Sequence, residues 1–276
     1  MKHSTMLEQP NKAAPRLWWA AGERPLPLRA ALKLGAAALW LAVWFIAYSL
    51  LHKPLLLPHP LDVVGRIGTL LLTGEFWLSV GASFGRVLLG FLLGAAAGCL
   101  LAAVLYRFYP VYALVHPLLV GVKATPVASF IILALVWVRA ENLAVFISFL
   151  MVLPLVCENV YQALRGTDRA LLEMAAVYRL SGWERARRIY IPSALPQFVA
   201  AVRVGIGFAW KAGISAEVLG TPPGAIGTRL YEAKIYLETV DLFAWTAIVI
   251  LLSMGIEALL VRALRGVPQK GGRSVG

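Results

Sequence analysis

The sequence has 276 residues, of which 60% are hydrophobic and only 14% are charged, and its mean hydropathy is +0.75. A soluble globular domain averages about 45–50% apolar and about 25% charged residues, so this composition excludes a typical soluble enzyme and favours a polytopic membrane protein. The formal net charge of +12 is a property that nucleic-acid-binding proteins share. Because the chain has no polar body to display a basic face, we expect no nucleic-acid partner.

Six apolar segments are predicted to span a lipid bilayer, since each has about the 20 residues that a membrane helix needs. In chain order they cover residues 34–51, 84–106, 111–138, 143–164, 195–220 and 242–263. The third segment has 28 residues and contains Pro117 and Pro126. Two full spans would need about 40 residues, so we expect one long helix that is kinked or broken. The predicted fold class is therefore all-α, a helical membrane protein with six spans.

The distribution of basic residues predicts the orientation of these spans, because Lys and Arg near span ends favour the cytoplasmic side. Of the 26 Lys and Arg residues, 17 lie in residues 1–33, at Arg107, in 165–194 and in 261–276. With six spans these four regions share one side of the membrane, and only five basic residues lie on the other side. Both termini are therefore expected in the cytoplasm. The first span follows about thirty polar residues, unlike a secretory signal, and is expected to stay uncleaved.

Familiar enzyme motifs are absent from the sequence. It contains no GxxxxGK[ST] phosphate loop, no HExxH zinc pair and no G-x-S-x-G nucleophile elbow. Cys99 and Cys157 lie within apolar segments and fit neither a disulfide framework nor a zinc pattern. We therefore expect no cofactor, no metal and no catalytic residue in this chain.

Glycines recur at a spacing of four in the second predicted span, at Gly90, Gly94 and Gly98. Residues at this spacing share one face of a helix, and small residues there allow two membrane helices to approach closely. We expect this stripe to be a packing surface.

Two lysines fall near the middle of their predicted spans, Lys123 and Lys211. A charge at that depth costs about 2.5–3.5 kcal/mol on insertion scales and is a functional candidate by default. Two ammonium groups would suit an anionic solute, which makes both lysines candidate residues of a substrate pathway. The structural alternative is that Lys211 pairs with Glu217, or that both lysines bond to backbone carbonyls of neighbouring helices.

The remaining charges within the spans lie nearer to span ends. Arg86 could reach lipid headgroups, and Glu158 and Arg203 could form an ion pair. Glu217 precedes a Thr-Pro-Pro-Gly turn at 221–224. It is a third candidate pathway residue, near an outer gate, unless this segment is simply a turn held by its prolines and glycine.

The loop between the fourth and fifth spans, over 165–194, carries the most specific pattern. Thr167 or Asp168 can cap a helix predicted over 169–180, which contains strong helix formers. Ser-Gly should end that helix, and one or two further turns are expected over 183–190. Two prolines then stop this stretch and open the fifth span.

This loop resembles the signature loop of permease subunits of bacterial ABC importers, whose consensus is E-A-A-x3-G-x9-I-x-L-P. When the loop is aligned on Pro192, Glu173 and Ala175 match the Glu and the second Ala, and Ile189 matches the Ile. The resemblance implies that the loop helix docks into a groove of an ATPase subunit. Without it, the same segment would be an amphipathic helix at the lipid boundary.

The loop departs from the consensus at two positions. Met174 replaces the first Ala, and Arg179 occupies the Gly position, so Gly182 is the alternative source of the turn. The ATPase-coupling residues that the resemblance implies are Glu173, Met174, Ala175, Ala176, Arg179, Gly182 and Trp183.

The resemblance extends over about 83–263 and is closest to the nitrate/sulfonate/taurine-type branch of these permeases. It is carried by the segments SFGRVLLGFLLGAAAG, KATPVASFIILALVW and FAWKAGISAEVLGTPPGAIGTRLYEAK. The implied organisation is a cytoplasmic tail over 1–33, a first span and external loop over 34–83, a permease core over 84–263 and a cytoplasmic tail over 264–276.

The resemblance also implies partners and a location. They are two ATPase subunits that hydrolyse ATP, an extracytoplasmic solute-binding protein, a second permease copy in a homodimer, and the lipid bilayer of a bacterial inner membrane. The implied solute is a small anion such as nitrate, a sulfonate or taurine, with a thiamine-precursor pyrimidine or another small organic solute as the alternative. The alternative function is a secondary transporter or channel that uses the same charges. A membrane-embedded enzyme is a third class of function, but this sequence contains no clustered nucleophile, metal-ligand set or carboxylate pair that would support it.

Overall fold

The computed structural model of the chain describes residues 26–264, and this part contains helices and no strand. Most of the tail predicted over 1–33 and nearly all of the tail predicted over 264–276 lie outside the described residues. The helices are α1 (Leu26–Leu51), α2 (Pro60–Leu71), α3 (Gly74–Arg107), α4 (Tyr109–Ala124), α5 (Val127–Ala134), α6 (Ala140–Arg165), α7 (Arg169–Val177), α8 (Gly182–Arg185), α9 (Ile191–Gly220), α10 (Ile226–Ile235) and α11 (Thr239–Ala263).

The chain divides into two compact units. The first, Met1–His52, contains α1, whose segment Leu34–Leu51 is long and apolar enough to cross a membrane. The second, Lys53–Gly276, contains all the other helices.

Five helical segments within the described residues are long and apolar enough to span a bilayer, and they include α1, α3, α6, α9 and α11. The helices α4 and α5 form a sixth span if the bent pair is counted as one. The predicted all-α membrane fold is therefore confirmed.

The third predicted span is broken. Its two halves, α4 and α5, meet at an angle of 105°. Thr125, between them, has an extended backbone with φ −82° and ψ 134°, as expected for a residue before proline, which is driven out of the helical region. Pro126 thus explains the position of the break.

The core of the second unit is formed by α3, α6 and α9, and the glycine stripe of α3 lies against α6. A Cβ atom on Gly94 would lie 2.8 Å from the carbonyl oxygen of Phe149, and one on Gly98 would lie 2.9 Å from that of Leu153. These distances are too short for any side chain, so the two backbones are in direct contact. The prediction that this stripe packs two helices together is confirmed.

The two ends of this bundle carry different short helices, α7 at one end and α10 at the other. At the α7 end, α3 and α6 finish and α9 begins; at the α10 end, α9 finishes and α3, α6 and α11 begin. The helices α2 and α10, which were not among the predicted spans, lie at the α10 end. His59 caps α2 through its Nδ1, which accepts from the Leu61 amide at 3.3 Å, and Pro60 is its first residue.

The glycine contact gives a direct test of packing. Replacing Gly94 with Ala should destabilise the protein by about 1–3 kcal/mol, the usual cost of inserting a methyl group into a filled contact. Gly85→Ala is the matched control in the same helix, because a Cβ there meets no atom within 4 Å. Thermal unfolding in detergent should show a lower midpoint for Gly94→Ala only, and equal midpoints would contradict the packing role.

Candidate functional site

The loop helix α7 is shorter than predicted and is closed at both ends by its own sequence. The Asp168 side chain accepts a hydrogen bond from the Ala170 amide at 2.9 Å and is the N-cap. At the other end the Leu180 amide donates to the Ala175 carbonyl at 2.9 Å, and the Arg179 amide donates to the Ala176 carbonyl at 3.1 Å. This pair of bonds is the Schellman arrangement that ends many helices.

The turn after α7 is made by Arg179, which has a φ of +50°. Glycine is the usual residue in this left-handed conformation, because a Cβ atom disfavours it. Gly182 has no positive φ and lies at the start of α8, so the alternative of a turn at Gly182 is wrong. Arg179 therefore performs the conformational role of the consensus glycine at the same position.

The second half of the loop continues into α9 without a break. Ser181 and Glu184 form a capping box at the start of α8, with the Ser181 amide donating to the Glu184 carboxylate at 2.9 Å. Residues Ala186–Tyr190 then form a π-helical turn. The prediction that prolines end the helical stretch over 183–190 is wrong, because the helix continues past Pro192. Proline has no amide hydrogen to donate to the preceding turn, and the wider π-helical turn accommodates it.

Several of the residues predicted to couple to an ATPase are exposed on or next to α7. Ala175 is fully buried against the protein, whereas Met174, Val177 and Tyr178 are 45%, 79% and 73% exposed. Trp183, on α8, is 71% exposed. Glu173, Ala176, Arg179 and Gly182 are also exposed. The loop thus presents a surface with large apolar side chains that is suited to contact another protein.

The first pathway candidate, Lys123, lies in the last turn of α4 and forms an ion pair with Glu158 of α6. Both side chains are partly exposed. Lys123 also lines a cleft of about 250 Å³ next to the break between α4 and α5. Lining residues are Val122, Lys123, Thr125, Val127, Met151, Pro154, Leu155 and Phe208.

The predicted ion pair between Glu158 and Arg203 does not form. Glu158 instead pairs with Lys123, because the break after α4 leaves the lysine against α6. The Arg203 guanidinium donates to the Leu264 carbonyl, just beyond the last turn of α11, at 3.4 Å. A cation is favoured there by the negative end of the helix dipole.

The second candidate, Lys211, lies on the one face of α9 that the core leaves open. Lys211 is exposed, and in the part of the chain that the structure describes its ammonium group has no ion-pair or hydrogen-bond partner. The other exposed residues at helical spacing on this face are Val204, Phe208, Ser215 and Leu219. The adjacent Trp210 indole donates to the carbonyl of Val249, the eleventh of 25 residues in α11, at 3.2 Å. Lys211 is therefore level with the middle of α11.

The third candidate, Glu217, is fully buried and takes part in a network at the α10 end. Its carboxylate accepts hydrogen bonds from Arg86 at 2.9 Å and from Ser83 at 2.6 Å. The alternative pairing of Lys211 with Glu217 is therefore wrong. The Arg86 guanidinium contacts this carboxylate, so the expectation that it reaches lipid headgroups is wrong. Ser83 is a residue that the sequence analysis missed; its position three before Arg86, on the same helix face, was the available signal.

Two further ion pairs surround a cavity of about 170 Å³ at the α10 end. Arg66 of α2 makes a bidentate contact with Asp241 of α11 at 2.6 and 2.7 Å, and Arg229 of α10 contacts Glu75 of α3 at 3.0 Å. The hydrogen bond that Arg66 donates to the Asp241 carboxylate raises the pKa of Arg66. Each contact joins two helices that are distant in sequence, α2 to α11 and α3 to α10.

Comparison with known proteins identifies related chains over most of this sequence. The family described as "Binding-protein-dependent transport system inner membrane component" matches residues 87–267. A probable ABC transporter permease protein of Brucella melitensis is 28% identical over 239 residues, covering 86% of this chain and 96% of that protein. The putative aliphatic sulfonates transport permease protein SsuC of Escherichia coli is 30% identical over 200 residues, covering 72% of this chain and 76% of SsuC.

A solved structure shares the fold. The crystal structure of a bacterial alginate ABC transporter, in complex with an alginate pentasaccharide-bound periplasmic protein, contains a chain that matches with a TM-score of 0.56. The match covers 93% of this chain and 99% of that chain at 17% identity. The family match and the related permeases confirm the predicted resemblance to the nitrate/sulfonate/taurine-type branch of ABC importer permeases.

The conformation of Arg179 gives a second test. Arg179→Gly should stabilise the loop by about 1 kcal/mol, because an L-residue in the left-handed region costs about 1–2 kcal/mol. Arg179→Val should destabilise it, since a β-branched side chain tolerates this region least. Hydrogen exchange of the α7 and α8 amides should slow in the first variant and accelerate in the second; faster exchange in Arg179→Gly would contradict the assignment of the turn.

Proposed function

Since the chain belongs to the family of binding-protein-dependent transport system inner membrane components, we propose that it is the permease through which an ATP-driven ABC importer moves a small anionic solute into the cytoplasm. It works by alternating access of a pathway at the interface of two copies. ATP is hydrolysed by two separate ATPase subunits, and an extracytoplasmic binding protein delivers the solute. The core of the permease covers 84–263.

The α7 end is assigned to the cytoplasm, in a bacterial inner membrane with both termini inside. The support is the concentration of basic residues in 165–194 and at Arg107, which lies at the end of α3. The exposed apolar face of α7 then lies where an ATPase subunit can bind it. A helix that buries Ala175 but exposes Met174 and Val177 fits an amphipathic helix that lays its apolar face in a groove of a partner.

The observation that carries the transport proposal is the unpaired ammonium group of Lys211. An isolated charge facing lipid hydrocarbon at mid-depth is unfavourable, so this face of α9 should meet water or a second chain. In a homodimer built on the open face of α9, two Lys211 residues line the pathway and attract an anion. Lys123 contributes less net charge, because Glu158 neutralises it.

The solute class follows from this charge. A small monoanion or the sulfonate group of a zwitterion, as in nitrate, an alkylsulfonate or taurine, can be held by one or two ammonium groups. The name of SsuC, which refers to aliphatic sulfonates, supports the same class. The alternative solute, a thiamine-precursor pyrimidine, would depend less on an unpaired cation.

The role of Lys211 is tested by uptake measurements. Lys211→Met should lower uptake of the anionic solute at least about tenfold, because a hydrogen bond to a charged group contributes about 1.5–3 kcal/mol and each 1.4 kcal/mol is a factor of about ten. Binding of the solute to the binding protein should not change. Lys53→Met, in the exposed segment between α1 and α2, is the control and should leave uptake unchanged; undiminished uptake by Lys211→Met would contradict the pathway assignment.

ATP-driven coupling is tested in proteoliposomes that contain the permease, the ATPase subunits and the binding protein. Met174→Glu should abolish uptake and co-purification of the ATPase, because it places a charge on the docking face, while Met174→Leu should retain both. The unmodified complex should require ATP. Uptake without ATPase subunits that follows an ion gradient would favour the secondary transporter or channel.

A further inference from the structure

A buried network joins the last turn of α9 and the first turn of α10 to the third and fourth turns of α3. The Glu217 carboxylate has no exposed surface and accepts hydrogen bonds from Ser83 Oγ at 2.6 Å, Arg86 Nη1 at 2.9 Å and the Gly227 amide at 3.3 Å. Ser83 Oγ in turn accepts from the Ile226 amide at 3.0 Å. We call these five residues the Glu217 clasp. A buried carboxylate is tolerated only with such partners, so the clasp fixes the three helices relative to one another.

The clasp holds the beginning of α10. Ile226 and Gly227 are its first two residues, and amide groups at this position have no partner within their own helix. Here the partners are side chains of α3 and α9, and the negative carboxylate lies at the positive end of the α10 dipole. The start of α10 is therefore bound to the other helices by its backbone.

The connection between α9 and α10 is also tight. Thr221 ends α9 with a φ of +47°, and Gly224 has a φ of +65°, so the chain reverses within a few residues. A Cβ atom on Gly227 would lie 2.5 Å from the Val218 amide nitrogen. No side chain fits there, and the first turn of α10 is in contact with the last turn of α9.

The same helix that carries Glu217 leads to the coupling loop. The helical run Gly182–Gly220 has 39 residues and includes α8, the π-helical turn and α9. At 1.5 Å per residue, the 30 residues of α9 alone extend over about 45 Å. The clasp and α7 are thus attached to opposite ends of one continuous helix, with Lys211 between them.

We propose that Glu217 is a positioning residue that makes α10 and α9 move as one body, so that docking of the binding protein on the outer surface is transmitted to the ATPase subunits. This inference rests on the proposed function. At the end of α10 and directly after it, Ile235, Tyr236 and Leu237 are 55%, 72% and 68% exposed. They form an apolar surface that the binding protein can contact and thereby move α10. Without the clasp, α10 would move independently and α9 would not follow.

The experiment compares two ATPase rates in the complete reconstituted complex, with and without solute-loaded binding protein. Glu217→Gln keeps the volume of the side chain but removes the charge that holds Arg86. Its basal ATPase rate should stay within about twofold of the wild-type rate, while stimulation by the binding protein and solute uptake fall at least tenfold. A side chain that only stabilises the fold would lower both rates together.

Two further variants make the result decisive. Glu141→Gln removes an exposed carboxylate of α6 that contacts Arg139 at 3.3 Å, and it should behave as wild type. Ser83→Ala removes the hydroxyl that links Glu217 to the Ile226 amide without leaving a buried charge unpaired. It should also lose stimulation selectively, which provides the test if Glu217→Gln fails to assemble.

The outcomes separate this inference from the proposed function. A wild-type complex that the binding protein does not stimulate would overturn the proposed function, and this inference with it. The inference about the clasp alone is overturned if the binding protein stimulates the Ser83→Ala complex as strongly as the wild type. The same holds if it stimulates an assembled Glu217→Gln complex as strongly as the wild type. Parallel loss of basal and stimulated rates in assembled Ser83→Ala would overturn it as well.

Discussion

Direct contact between the backbones of α3 and α6 is the constraint on which the rest of the structure depends. Lipid tails are as apolar as the helices, so membrane helices gain stability mainly from close packing. Gly94 and Gly98 allow this packing along α3, and Gly213 allows α9 to join, since a Cβ there would lie 2.7 Å from the Ser148 hydroxyl. Once these three helices are fixed, the rotation of α9 is fixed too, and Lys211 is left on its open face.

Most of the charged side chains within the spans have a partner on a neighbouring helix. Arg86 is satisfied by Glu217 and Lys123 by Glu158, and the Arg203 guanidinium reaches the end of α11. These arrangements offset the cost of placing charges in an apolar medium. Within the part of the chain that the structure describes, the ammonium group of Lys211 has no ion-pair or hydrogen-bond partner. In the proposed mechanism this ammonium group is available to water, a solute or a second copy of the chain.

Features that depend on neighbouring residues could be predicted from the sequence, and pairings between distant helices could not. The six apolar segments, the break at Pro126 and the cap at Asp168 follow from local run length, proline geometry and side-chain hydrogen bonding. The partner of Glu217 is 131 residues away, and the choice depends on how uniformly apolar helices rotate about their axes. The turn after α7 could not be placed from sequence for a different reason. Glycine is the commonest residue in the left-handed conformation, which made Gly182 a candidate, but the hydrogen bonds that end α7 require this conformation at Arg179.

The broken third span and the continuous fifth helix suit different parts of the proposed mechanism. A bend of 105° between α4 and α5 uncouples the two halves and opens a cleft beside Lys123, so this span can adjust to a solute but transmits little force along its axis. The α9 helix has Pro196 in its interior, and the π-helical turn before it absorbs Pro192, yet neither interrupts it. A displacement at one end of a continuous helix must appear at the other end, and α9 joins the clasp, Lys211 and the coupling loop. In the proposed mechanism, solute access and ATPase contact would therefore both depend on the position of α9.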